Sequence, residues 1–341
     1  AADPTAVEPS LEDSFNTVLW TGDYSATRQI TGVGFQPDLV WLKGRNNASW
    51  GHFLQDSIRG AENFLISQST GAEGTTTPHI VDSFDTDGFT IKANGNSNAT
   101  GDTYVAWNFK AGGAAVATGN TNLSNSFVSA NPEAGFSIMT YTGTAVDGTI
   151  NHGLSQAPEF WIYKNRTNAR DWFTCTTVID GSTKYGFLNT TAAFGSGAAQ
   201  YTTDTVIAVN ADGGTGLVNL SGNNYVLYAF HSVEGFSNFG SFAGTGAAGN
   251  PIVTGFEPAF VMIKSTGVES WYIMDNKRLN GVYSDQLYAN LSNSEGSGQH
   301  VNFMSNGFTL DTTDGGVNNG SASYIYMAFA ADPTAVEPSL E

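Results

Sequence analysis

Two loops carry acids at a spacing that a hard cation could use. Asp82, Asp85 and Asp87 lie in Asp82-Ser-Phe-Asp85-Thr-Asp87-Gly88, and Asp311 and Asp314 in Asp311-Thr-Thr-Asp314-Gly315. Calcium is bound by clustered oxygens, so these five are candidate ligands and calcium is the one cofactor the sequence admits. Neither loop follows the twelve-residue EF-hand pattern. Asp-Gly steps also build tight turns, which accounts for the same residues without a metal. Three tryptophans, Trp50, Trp172 and Trp271, stand seven, eight and seven residues after Lys43, Lys164 and Lys264. Beside Asn and Asp side chains such rings could stack on sugars, which makes them candidate glycan-binding residues. Their recurrence at one place in each repeat equally marks core anchors. The three lysines could join a neighbouring Asn in an isopeptide bond, but the simpler expectation is a strand-edge lysine whose stem snorkels to water.

No reaction constellation accompanies them. Glycoside hydrolysis needs two carboxylates facing each other across a cleft, and no such pair is marked. The histidines, His52, His79, His152, His231 and His300, do not recur at equivalent positions. Cys175 is the only cysteine, which excludes an internal disulfide and reads as a small buried strand residue. The expectation is a protein that is not an enzyme.

The elements that position these residues are strands. Pro37 to Lys43, Pro158 to Lys164 and Pro258 to Lys264 share the pattern Pro-x5-Lys, and Tyr104, Tyr225 and Tyr324 follow the lysines by 61, 61 and 60 residues. Three sub-repeats result. Alternation puts Val105, Trp107 and Phe109 on one face, as it does Val226, Tyr228 and Phe230, and Ile325, Met327 and Phe329. The opposite faces are semi-apolar, which suggests central strands covered on both sides. Gly-rich turns and the near absence of capped helical patterns predict an all-β chain of three tandem antiparallel β-sandwiches, jelly-roll-like. The expected divisions are 1–12 linker, 13–113 first unit, 114–132 linker with one added strand, 133–235 second unit, 236–329 third unit and 330–341 linker.

The two end segments are identical. AADPTAVEPSLE occupies residues 1–12 and again 330–341, a displacement of 329 residues. It runs into ordinary sequence on both sides, so it reads as a native connector between periods of a longer repeat. Its Pro and Glu favour an extended connector. The net charge of −18 disfavours nucleic acid and anionic lipid as partners, and no apolar run is long enough to span a bilayer.

Gly34 to Trp41, Asn151-His152-Gly153-Leu154 with Lys164-Asn165-Arg166, and Gly101 to Trp107 resemble a domain that recurs in marine phage fibre-like proteins and large bacterial surface proteins. The resemblance covers all three units and implies a β-rich extracellular or virion module. The third unit departs from it, with Ser323 before Tyr324 and no Lys-Asn-Arg. The functional expectation is a structural tandem-repeat protein of a fibre, filament or stalk at a cell or virion surface, with itself as partner. The alternative is a glycan- or receptor-binding module of a phage tail fibre or adhesin.

Overall fold

A computed structural model describes residues 11, 14–298 and 300–331. The linkers expected at 1–12 and 330–341 therefore lie almost wholly outside the described residues. The chain is all-β, with 46% strand and 3% helix, and among the described residues every strand pairing is antiparallel. Among the described residues six sheets form, two from each third of the sequence.

Each unit builds its larger sheet on four strands. The opening strands are Phe15–Thr21, Phe136–Thr142 and Ser237–Ala243, and the inner strands are Leu39–Gly44, Phe160–Asn165 and Pro258–Ser265. The outer strands are His52–Asp56, Phe173–Thr176 and Trp271–Asp275, and the closing strands are Thr103–Phe109, Asn224–Phe230 and Ser323–Ala330. In all three sheets the order is opening, closing, inner, outer. A smaller sheet packs on one face of each.

The alternation in these strands sorts their side chains between two cores. Val40, Leu42, Tyr104 and Ala106 face the first unit's own core, with Phe89 and Ile91 from the smaller sheet. The second unit's core holds Trp161, Tyr163 and Cys175 against Ile207 and Val209, and the third's holds Val261 and Ile263 against Phe308 and Leu310. The other face of every larger sheet turns inward to a single cluster shared by the three units. Leu39, Trp41, Trp107 and Phe109 meet Phe160, Tyr228 and Phe230, and both sets meet Phe260, Met327 and Phe329.

Register shows that the shared core has pseudo-threefold order. Phe109 pairs with Leu39, Phe230 with Phe160 and Phe329 with Phe260. The rings of Phe109, Phe230 and Phe329 then meet one another, with centroids 5.3 to 6.3 Å apart. Each such pair adds about 0.5–1.5 kcal/mol to the gain from burial. The units are thus not beads on a string, because each leaves an apolar sheet face that only the other two cover.

The stretch 114–132 is folded into the second unit. Ser124–Asn131 is the added strand and lies beside Phe136–Thr142, with a bulge between Ser124 and Phe127. Two short strands precede it, Val116–Ala117 and Asn120–Thr121, and the second of these joins the smaller sheet.

Candidate functional site

The acids of the two loops are engaged by their own surroundings. Asp87 accepts from the main-chain N–H of Gly32 and of Gly34, the latter at 2.7 Å, and these donors hold its carboxyl below the usual range. Gly32 and Gly34 have φ of +85° and +89°, a left-handed conformation that glycine adopts without strain. Asp85 accepts from Ser83 and Thr90 hydroxyls at 2.8 and 2.7 Å, and Asp82 pairs with Lys92 at 3.1 Å. Asp314 caps the short helix Gly315–Asn318 by accepting from Gly316 N–H at 2.7 Å, while Asp311 faces the Thr309 hydroxyl at 3.5 Å. Among the described residues no three metal-type ligands converge.

Trp172 and Trp271 have their rings fully inside, so neither presents a face to solvent. Each indole reaches into the preceding unit. Trp172 Nε1 donates to the carbonyls of Ile66 and Ser69 at 2.9 and 3.1 Å, and Trp271 Nε1 to the carbonyl of Phe187 at 3.0 Å. Trp50 is half-buried, donates to Asp102, and lies across Gly44 and Gly95, where an added Cβ would come within 2.7 and 2.6 Å of the ring.

Register also corrects the equivalence of the three tryptophans. Lys264 pairs with Trp271, and Trp172 stands one step beyond the Tyr163–Phe173 pair, but Lys43 pairs with His52. His52 therefore holds the tryptophan position in the first unit. It is buried, accepts from Trp41 Nε1 at 3.0 Å through Nδ1, and stacks on Trp107. Burial, then the charges of Lys43 and Arg278, push its imidazole well below the ordinary value, so it is neutral.

The three lysines do not snorkel. They sit on the inward face of the inner strands with 0–1% of their surface exposed. Each ammonium is held by main-chain carbonyls instead. Lys43 donates to Gly44 and Trp50, Lys164 to Thr70 of the first unit and to Arg170, and Lys264 to Ser265 and Gly267. Burial pulls all three down to about 8.

Next to the lysines run the seams between units. At the first seam Asp56 pairs with Arg59, Arg59 with Glu73, and Glu73 with Arg166 of the second unit, while Tyr228 also reaches Asp56. The seam from third unit to first repeats this with Asp275, Arg278, Glu295 and Arg45, and Trp107 Nε1 donates to Asp275 at 2.9 Å. The remaining seam has the same main-chain bond and different side chains. Phe194 N–H donates to the Thr266 carbonyl as Glu73 N–H does to that of Arg166, both at 2.9 Å. Thr176 is the register counterpart of Asp56 and Asp275. Ile179 follows it at the spacing of Arg59 and Arg278.

A third set of residues was missed in the sequence. Asn98, Asn219 and Asn318, each six residues before the conserved-spacing tyrosine of its unit, are buried and tie loops together. Asn318 accepts from Thr245 N–H and Asn250, and donates to the carbonyls of Ala247 and Thr312. The tyrosine closes the same loop. Tyr104, Tyr225 and Tyr324 each accept a main-chain N–H and donate to a carbonyl, of Gly95, Gly216 and Gly315 respectively. The identical Asn-to-Tyr spacing in three units was the available signal.

An open groove of about 580 Å³ lies where the chain passes from the first unit to the second, beside Asp38, Lys110, Asn131 and Glu133. Asp38 is raised by burial and accepts from Ala111 and Gly113 N–H, which pins that crossing. Cys175 is wholly buried and its thiol is pushed up, which makes it a poor nucleophile.

Fold and site together define an all-β protein of three pseudo-equivalent units whose singled-out side chains hold main chain and neighbouring units in place. A family described as a domain of unknown function, DUF7483, matches residues 9–333, and the chain belongs to that family. The match spans all three units as one domain. No curated protein matches the chain.

Proposed function

We propose that this chain is one period of a tandemly repeated structural protein that builds a fibre, filament or stalk on a cell or virion surface. The observation that carries the reading is the recurrence of AADPTAVEPSLE, unchanged, on both flanks of the folded body. A spacer duplicated with its module extends reach and number of modules without new chemistry. Consistent with this, the polar side chains singled out above bond to the protein itself. The resemblance to phage fibre-like and bacterial surface proteins supports an extracellular or virion location. A jelly-roll-like reading of each unit is supported by the nested pairing of opening with closing strand and, in the first unit, of Thr27–Ile30 with Gly88–Lys92.

The body also suggests how periods are carried. Phe15 of the opening strand stacks on Phe329 of the last closing strand at 4.9 Å, so the chain comes in and goes out at one pole. Successive bodies would hang side by side from their connectors. Electron micrographs of the full-length protein should show filaments beaded at one body per period; dispersed single particles would overturn the proposal. The glycan-binding alternative rests on Trp50, since the other two tryptophans have no exposed ring. Loss of glycan-array binding in a folded Trp50→Ala variant would favour it.

A further inference from the structure

The order in which strands are delivered around the shared core points to an exchangeable element. The first unit's closing strand ends at Phe109 and the chain goes on to the second unit's opening strand at Phe136. The second's ends at Phe230, and Ser237 opens the third. The third unit's closing strand ends at Ala330, on the pole where the first unit's opening strand begins. Units one, two and three thus form a cycle cut only between Ala330 and Phe15.

Two further observations fall on that cut. Among the described residues the opening strand Phe15–Thr21 is at the edge of its sheet and pairs only with Thr103–Phe109. The two internal crossings are pinned by an acid after the strand proline, Asp38 holding Ala111 and Gly113 N–H and Glu159 holding Ser232 N–H. The third unit has Ala259 at that place, which offers no acceptor side chain. The segment that would bridge the cut is present in the sequence. Residues 330–341 repeat the twelve that precede Asp13-Ser14, giving a bridge of 14 residues from Phe329 to a following Phe15. Fully extended, that many residues reach about 46–50 Å, whereas the two rings at its ends lie 4.9 Å apart.

We propose that Phe15–Thr21 is an exchangeable strand, supplied to the first unit either by the residues before that unit or by a following copy of this chain through the repeated 12-mer. This rests on the tandem-repeat reading. The partner is a second copy of the same sequence, and the strand carries its own address. Phe15 fills the shared core, Val18 and Trp20 fill the first unit's core, and Trp20 Nε1 donates to the Ser97 carbonyl at 2.8 Å.

A circular permutant tests this directly. It begins at Asp23, runs through Glu341 and continues with Asp13 to Gly22, so that the second 12-mer delivers the strand. The expected result is a folded protein, monomeric or strand-exchanged dimer, melting cooperatively within about 5 °C of the parent. A second preparation, residues 23–341 mixed with a synthetic peptide of residues 11–22, separates a poor connector from a strand that does not exchange. Peptide uptake should raise the melting temperature, and a Trp20→Ala peptide should do so much less. A permutant that fails to fold while the truncated chain takes up peptide overturns delivery through the 12-mer; no uptake overturns exchange altogether. Neither result bears on the fibre reading, which filament images decide.

Discussion

The hydroxyl of Tyr228, in the second unit's closing strand, donates to the carboxylate of Asp56 in the first unit's outer strand at 2.7 Å. Asp56 and its partner Arg59 have side chains with no exposed surface. A buried pair of this kind adds little net stability over an apolar substitute, but removing one partner strands the other.

Asp56→Ala should therefore cost about 3–5 kcal/mol, while Tyr228→Phe, which leaves the pair intact, should cost about 1 kcal/mol. Urea unfolding of the two variants beside the parent measures both. Equal losses would mean that the hydroxyl, not the ion pair, closes the seam.

The lysines give a pH dependence of definite sign. Lys43, Lys164 and Lys264 are lowered to about 8 in the folded chain, against about 10.4 when unfolded. Between these values the unfolded chain binds protons that the folded one does not, so stability rises with pH by up to about 1 kcal/mol per unit for each lysine. Well below pH 8 the penalty is constant. Above pH 10 the buried tyrosines Tyr141, Tyr163 and Tyr228, all raised by burial, reverse the trend. Urea midpoints from pH 7.5 to 9.5 should climb, and Lys264→Met should flatten the climb.

The asparagine clamps should rank by the bonds they make. Asn318 and Asn219 each use both ends of the amide on main chain, Asn219 through Thr144 N–H and the carbonyls of Val146 and Val209. Asn98 holds Asp23 N–H at 3.0 Å and the Ser25 carbonyl only at 3.3 Å. Alanine at Asn318 or Asn219 should cost about 3 kcal/mol, and at Asn98 about 1–2, because each abandoned buried partner is penalised by about 1–3 kcal/mol. Melting by circular dichroism distinguishes this ranking from uniform losses.

Calcium should not matter to stability. The carboxylates of Asp82, Asp85, Asp87 and Asp314 already have partners among protein donors. Melting temperatures in excess EDTA and in millimolar calcium should coincide; a rise with calcium would identify a site that these bonds conceal.

Much of the strand pattern was legible in sequence, because alternation and the Pro-x5-Lys and tyrosine spacings report local geometry. Residues such as Phe109, Phe230 and Phe329 announced a covered face. What covers that face was not legible, since periodicity is silent on whether the partner is the same unit or another. The lysine error has the same origin, as Lys43 closes an apolar run in either setting. The tryptophan equivalence failed for a different reason. The turns after the inner strands differ in length, so His52, nine residues after Lys43, occupies the place of Trp172 and Trp271, eight and seven after their lysines. The seams were hidden because their residues lie far apart in sequence, as Arg45 and Glu295 do, and because Thr176 and Ile179 interrupt the pattern of Asp and Arg.

That interruption bears on fidelity during synthesis. In the array of periods proposed above, every nascent unit would be surrounded by wrong partners of almost the right shape, the condition under which repeat proteins misassemble. Two charged seams and one apolar seam are not interchangeable, for docking Glu73 against Thr266, the third unit's counterpart of Arg166, would leave a largely buried carboxylate without its cross-seam cation. A unit that closes on the wrong neighbour is thereby disfavoured, and the chain sorts its thirds into rings in a single cyclic order.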